Sequence, residues 1–305
     1  MSALHVVFGS GPLGTGVATL LAARGERVRV VNRSGVTRVI GAEVKRGDVA
    51  DPAFAVEAAA GASVVYQCAQ PAYHRWPKEF AAFQQSIVDA AAAANARLVI
   101  ADNLYAYGDP RGEVITDSSP RSATTVKGVL RRQMADAALA DPRVEVTLSR
   151  PSNYIGPGYD IFGNQVVRPA LRGKSMQFLG RMNLAHSFSY VPDSAAAMVA
   201  LADSERSWGR GWITPVLAPI TQGELAARVW AAAGATGEPR VSTFSRGGAR
   251  LIGTFVPDLG ALVELWFEWD APYIVDASEF EREFGLTATP IEKVIDETVG
   301  WYRRN

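Results

Sequence analysis

Three glycines, Gly9, Gly11 and Gly14, follow an apolar run at residues 4–8 and open a stretch of helical spacing that begins with Pro12 and Leu13. In that setting the GxGxxG spacing has a physical meaning. The first glycine permits a tight turn, the second lets the backbone approach a diphosphate, and the third lets helix and strand pack closely. The first amides of a helix lack intrahelical acceptors, so a phosphate is favoured there. The chemistry implied is binding of a dinucleotide through its pyrophosphate. A second apolar run, residues 28–31, leads into Asn32, Arg33 and Ser34, where an acid that accepts both ribose hydroxyls would otherwise stand. A guanidinium pairs with a 2′-phosphate and Ser34 can donate to it, so NADP(H) is favoured over NAD(H); a solvated surface arginine is the plain alternative for Arg33. Asp48, in RGDVAD, is placed to reach the adenine amino group, and Val49 to line the ring. Cys68, Ala69 and Gln70 follow the fourth strand, where the chain runs beside the adenosine ribose.

These residues need a parallel sheet to hold them. Residues 4–8, the glycine turn, a helix at 15–23 and residues 28–31 make one βαβ unit. The alternation continues with strands at 43–46, 63–67 and 98–101, helices at 53–60 and 77–94, a loop-like stretch at 103–124, a helix at 127–140 and a strand at 144–148. The fold expected is α/β, a Rossmann-type doubly wound parallel sheet over residues 1–155. A mixed region, 156–305, completes the sheet and forms a smaller C-terminal substrate-binding region over the carboxyl ends of the strands. Within it NYIGPGYDIFG reads as a loop, and residues 195–202, 221–233, 279–284 and 290–302 as helices.

Composition narrows the classes. The chain has 305 residues, 48% of them hydrophobic, which suffices for a large core. Thirty-one basic residues balance 31 acidic ones without a block of like charge, so no nucleic-acid partner is expected. The single cysteine, Cys68, excludes an intrachain disulfide and reads as a small hydrophobe, not a nucleophile. The three histidines, His5, His74 and His186, show no ligand spacing, so no metal is expected. No run approaches the roughly 18 apolar residues of a membrane span, and the N-terminus reads as a strand without a leader. A cytoplasmic protein is expected. The many alanines of the two long helices suit a homodimer or ordinary helix–sheet contacts.

At this point the chain resembles the extended short-chain dehydrogenase/reductase family, the NAD-dependent epimerase/dehydratase group. The resemblance rests on the glycine turn, GDVAD at 47–51, NLYAYG at 103–108, Lys127, RPSNYIGPG at 150–158, FSYVPDSAAAMVAL at 188–201 and the terminal TPIEKVIDETVGWYR. It implies hydride transfer assisted by a Tyr-xxx-Lys pair and a Ser or Thr, with cofactor contacts extending to Lys127, Pro151 and Asn153. Lys127 matches the lysine, which holds the nicotinamide ribose and lowers the phenol pKa. Ala123 stands where the tyrosine would be, and Asn103 where the hydroxyl residue would be. The glycine turn departs too, because the common GxxGxxG spacing would put Phe8 at the first position. Asn103, Leu104 and Tyr105 occupy the stretch that carries threonine, acid and base in the dehydratase branch. Tyr105 is therefore the candidate to transfer the proton that Ala123 cannot, with Asn103 holding the substrate oxygen and Lys127 the ribose; stacking on substrate is its other reading.

The resemblance also brings Tyr73, His74 and Trp76 of QPAYHRWP, then Asn153 and Tyr154, then His186 and Tyr190 of HSFSY, over the nicotinamide. His186 is the best secondary acid. A cleft so lined suits a small apolar or aromatic carbonyl or enone, and NADP(H)-dependent reduction of such a small molecule is the leading expectation. A nucleotide-sugar epimerase or dehydratase with retained cofactor, and a noncatalytic NADP(H) sensor or scaffold, are the alternatives. Trp266, Phe267 and Trp269 suit either the pocket or core packing.

Overall fold

The β-branched and apolar runs pair into seven strands, all parallel: β1 (Leu4–Phe8), β2 (Arg27–Asn32), β3 (Glu43–Arg46), β4 (Val64–Gln67), β5 (Arg97–Ala101), β6 (Val146–Arg150) and the strand Gly211–Ile213. The computed structural model describes residues 2–305. From one edge to the other the order is Gly211–Ile213, β6, β5, β4, β1, β2, β3. Every residue of β1, β4 and β6 is buried, as a parallel sheet covered on both faces requires. Helices α1 (Pro12–Ala23), α2 (Pro52–Ala59), α3 (Trp76–Ala93), α4 (Val126–Ala140) and the helix Val191–Asp203 supply that cover. One face packs Val6, Phe8, Val65, Leu98, Ile100 and Leu148 against Ala58, Ile87 and Ala138. The other packs Val7, Val28, Val30, Tyr66 and Val99 against Val17, Leu21 and Met198. Between β1 and β4 the winding direction reverses, and ligands of open α/β sheets bind outside the carboxyl ends of the strands at such a reversal. The doubly wound sheet read from the sequence is the sheet observed. Ala90, Ala91, Ala135 and Ala138, from the alanine-rich helices, lie inside its own core.

The chain forms two units that interleave along the sequence. The first takes residues 2–106, 126–150 and 194–214, and the second takes 107–125, 151–193 and 215–305. The boundary expected near residue 155 is thus one of several crossings, and the second unit, expected to be the smaller, is about as long as the first. Within it, NYI is not loop: Asn153–Ile155 is a strand parallel to Phe188–Tyr190, because an aromatic and a β-branched residue suit pairing there. Met176–Leu179 pairs with Val241–Phe244. A capping box between Thr221 and Glu224 starts the helix Gln222–Ala232, and both it and Ile291–Arg304 bury an apolar face around Phe178, Tyr190, Trp230 and Val299.

A buried ion cluster ties the middle of the first unit together. Asp102, directly after β5, receives Arg131 of α4 at 2.6 and 3.1 Å on one carboxylate oxygen and Arg150, the last residue of β6, at 3.0 Å on the other. All three side chains are almost fully buried. A side chain on Gly211 would strike the Arg150 guanidinium, so glycine is required beside it. Burial alone would raise the Asp102 carboxyl, but the two guanidiniums and their hydrogen bonds outweigh it and hold it below the usual carboxylate range. Removing that charge takes the shared anion from two buried cations. Asp102→Asn is expected to cost about 3–5 kcal/mol in urea unfolding, and a loss under about 1 kcal/mol would show that the cluster does not fasten β5, β6 and α4.

Candidate functional site

The glycine turn is built as its spacing implies. Gly9 has φ +112°, and a Cβ there would lie 2.8 Å from the Ala69 amide nitrogen. A Cβ on Gly14 would strike the Gly9 carbonyl and lie 3.1 Å from Cys68 Cβ. Gly11 differs: a Cβ there would meet nothing within 4 Å, so the space over it is open. Gly11 is also the N-cap of α1, in extended conformation and with no side-chain cap. Its carbonyl accepts the Thr15 amide at 2.8 Å, which starts the helix, and Pro12 at the first position has no N–H to leave unsatisfied. The amides of Leu13 and Gly14 therefore head a helix dipole with no side chain in the way. A dinucleotide diphosphate fits this cradle. Beside it, burial pushes the Cys68 thiol up to about 12, so it is a neutral packing group.

At the end of β2 the side chains divide their work. Asn32 accepts the Gly35 amide at 2.7 Å and donates to the Val36 carbonyl at 2.8 Å, and the Ser34 hydroxyl donates to Asn32 at 2.9 Å. Both residues thus shape the turn after β2, while the Arg33 side chain is exposed. Asp48 accepts the Ala50 amide at 3.0 Å and also serves a turn; Val49 beside it is buried. Ala69 and Gln70 follow β4 at the same carboxyl edge of the sheet.

A second cluster lies beyond β4 and β5 in the same unit. The Tyr73 hydroxyl donates to the Tyr105 hydroxyl at 3.3 Å, and the buried Lys127 ammonium lies 4.7 Å from the Tyr73 ring centroid. The Asn103 side-chain oxygen accepts the Tyr105 amide at 3.1 Å, which fixes the loop and leaves the amide NH2 as the group that can donate. Trp76, expected to line a substrate pocket, is a core residue instead. Its indole N–H donates to the Pro71 carbonyl at 3.2 Å, and its ring packs on Phe80, on Tyr73 and beside Tyr105. His74 is exposed. Ala123 is buried, and a Cβ on Gly108, at φ +77°, would press on the Ala123 backbone.

The second unit holds the other expected site residues. His186 is buried, with its ring stacked on Trp269 at 4.6 Å and packed against Phe188 and Tyr273. Its Nε2 accepts from Asn153 at 3.1 Å, and the Glu268 backbone carbonyl takes its other ring N–H. Burial lowers its pKa to about 3 against the opposing effect of that backbone bond. His186 is therefore neutral at physiological pH with both nitrogens engaged, which removes it as an acid. Tyr190, expected at the substrate, is buried and donates to Glu297 at 2.6 Å. Asn153 donates from the same nitrogen to Glu268 at 2.9 Å, Tyr154 packs edge-on to Tyr159, and Pro151 is buried just after β6. Trp269 and Trp266, whose role the sequence left open, are packing residues: one stacks on His186, and the other is buried and bonds Asp270. Glu268 and the Asp102 cluster escaped the sequence reading. A carboxylate directly after an apolar strand, and an arginine ending one, were the available signals for the cluster; for Glu268 the signal was its place inside the aromatic run LWFEWD.

The sequence model of the NAD dependent epimerase/dehydratase family matches residues 6–211. The chain belongs to that family. Its sheet agrees with solved structures of the group across nearly the whole of both chains. MoeE5 in complex with UDP-glucose and NAD is 21% identical with a TM-score of 0.77, covering 99% of each chain. UDP-glucose 4-epimerase of Thermotoga maritima, with UDP-glucose, is 15% identical with a TM-score of 0.80, again over 99% of each. DesIV, a dTDP-glucose 4,6-dehydratase of Streptomyces venezuelae with NAD bound, is 19% identical with a TM-score of 0.78, over 99% of this chain and 97% of its own. At these identities the likeness establishes the fold. No curated protein sequence matches. Membership in the epimerase/dehydratase family accords with a nicotinamide dinucleotide in the cradle of α1. Among the described residues no His, Cys, Asp or Glu cluster could hold a metal, and no helix is long and apolar enough to cross a membrane.

Burial pushes the Glu268 carboxyl up to about 7, with the Asn153 bond opposing. Its folded pKa lies above the unfolded value of about 4.3, so its contribution to stability is complete below about pH 4 and is lost as pH rises through about 7. Glu268→Gln keeps an acceptor for Asn153 and removes this titration. The variant should therefore gain stability relative to wild type between about pH 4 and 7, by up to about 3 kcal/mol. A difference that stays constant across that window in denaturant titrations would contradict the buried, proton-bearing carboxyl.

Proposed function

We propose that this chain is an epimerase-type oxidoreductase. It oxidises an alcohol carbon on the sugar of a nucleotide sugar and reduces the resulting ketone while keeping its nicotinamide dinucleotide bound. The observation that carries the reading is the cluster of Tyr105, Tyr73 and Lys127 at the carboxyl edge of β5, on the same sheet edge as the diphosphate cradle. A nicotinamide dinucleotide held at the α1 cradle would supply reversible hydride acceptance at the alcohol carbon. Tyr105 takes up the alcohol proton as that carbon is oxidised and returns it when the ketone is reduced, Asn103 donates to the same oxygen, and Lys127 holds the nicotinamide ribose.

Elimination is disfavoured because Leu104, where the dehydratase branch carries its acid, is an apolar buried side chain, and Tyr105 replaces the base. Reduction of a small apolar carbonyl loses the support it had from aromatic lining, because Trp76, His186 and Tyr190 belong to packing. Solved proteins of the same fold hold UDP-glucose and NAD, which favours the nucleotide sugar. For the cofactor we favour NADP(H), on the absence of an acid at the end of β2 and on the exposed Arg33 beside Ser34.

Four measurements test this reading. Dinucleotide released by denaturing the purified protein should approach one per chain, and chromatography with UDP-glucose as probe should show conversion to its epimer without net change in nicotinamide absorbance. Tyr105→Phe should lower that turnover by about 10²- to 10⁴-fold; turnover like wild type would remove the phenol from the reaction. The NADPH-to-NADH affinity ratio should favour NADPH and fall by about tenfold in Arg33→Ala, the range of one charge-assisted phosphate contact. An unchanged ratio would leave Arg33 a surface residue.

A further inference from the structure

The family's tyrosine draws its acidity from a lysine one helical turn away, and position 123 offers no such phenol. Tyr105 sits instead in the short turn Tyr105–Tyr107 after β5, on a different element from Lys127. A second phenol, Tyr73, contacts both. Tyr73, in the turn that leads into α3, has the Lys127 ammonium 4.7 Å from its ring centroid and donates its hydroxyl proton to Tyr105 at 3.3 Å. Trp76 braces both phenols: its ring meets Tyr73 edge-on at 4.9 Å and lies 6.1 Å from Tyr105, and its own N–H is tied to Pro71.

We propose that Tyr73 is a positioning residue that carries the charge of Lys127 to Tyr105. A cation held against a phenol ring draws electron density from it, which makes the ring hydroxyl a stronger donor. Hydrogen bonds in a chain polarise one another, so a stronger bond from Tyr73 makes Tyr105 the better donor to a substrate oxygen. When Tyr105 gives up its proton, the Tyr73 O–H is already aimed at the oxygen that becomes negative. The bond is long for two hydroxyls in the free protein, and such bonds shorten when charge develops at the acceptor. Buried Lys127 has little water to screen it, so its field reaches Tyr73 with more force than an exposed ammonium would. This arrangement gives Tyr105 by relay what the usual tyrosine receives directly. The inference rests on Tyr105 as the proton carrier, and its test reads the coupling without substrate.

Tyrosine labelled with ¹³C at Cζ reports the electron density at each phenol oxygen, and Tyr105→Phe and Tyr73→Phe assign the two resonances by their disappearance. Lys127→Met should shift the Tyr105 resonance in the otherwise wild-type chain, and the shift should be about fivefold smaller in the Tyr73→Phe background, the non-additivity expected of residues acting through one another. Equal shifts in both backgrounds would mean that Lys127 acts on Tyr105 directly and would overturn the relay; no shift in either would overturn it as well. Circular dichroism of each variant verifies that the fold persists, and Lys127→Arg, which keeps the charge, should restore most of the wild-type Tyr105 shift. A positive coupling with full turnover by Tyr105→Phe would leave the relay standing and refute the proposed function; loss of turnover without coupling would do the reverse.

Discussion

The amides at the start of α1 have no side chain to satisfy them, and the rest of the first unit is arranged around that deficit. Gly9 and Gly14 carry no Cβ because the chain passes too close to Ala69, to Cys68 and to itself. Gly11 carries none in front of open space, where the reason is absent from the protein and must lie in what binds there. The reversal of strand order between β1 and β4 puts this helix start where a ligand can reach it, and the ends of β2, β4 and β5 bring the other candidate residues to the same edge. A diphosphate is the ligand whose charge and size suit uncapped amides at a positive helix end.

Under the proposed function, the proton-transfer group has moved relative to that fixed point. Position 123 holds an alanine packed against Gly108, while the Tyr105 phenol stands after β5 and Lys127 on α4. The move demands that β5 and α4 keep their spacing, because a proton must be handed over within hydrogen-bond reach. The Asp102 cluster meets that demand. Arg131 lies one turn along α4 from Lys127, Asp102 is next to Asn103, and their bond joins the two elements that hold the proposed proton-transfer residues. A buried ion cluster adds little net stability over apolar packing, so its value here is the geometry it enforces.

The sheet and its helices were legible because they follow from periodicity. Alternating short apolar runs and helical stretches leave few topologies open, and the glycine turn fixed which strand came first. The placement of Asn103 and Tyr105 just after β5 was legible because position relative to strand ends carries over from sequence to structure. The aromatic residues were harder. Trp76, His186 and Tyr190 have the same letters whether they line a pocket or fill a core, and only their partners, Pro71, Asn153 and Glu297, tell the difference. His186 also lost its role as an acid through burial, which composition does not reveal. Asp102, Arg131 and Arg150 are far apart in the chain, so their pairing required the fold, and the aromatic run around Glu268 signals burial of the segment without saying that the carboxyl itself turns inward.

Dinucleotide uptake at the uncapped start of α1 is the requirement on which the proposed chemistry depends, and it can be measured by calorimetric titration of NADPH and NADH into wild type and Gly11→Ala. The added methyl enters open space, so the unliganded variant should melt as wild type does, since an N-cap change of this kind costs at most about 1 kcal/mol. Wild type should bind at least one of the two dinucleotides with one site per chain, and Gly11→Ala should bind it about tenfold or more weakly, a loss of about 1.4 kcal/mol. No heat of binding from wild type, or equal affinity in the two proteins, would show that no diphosphate is held at Gly11.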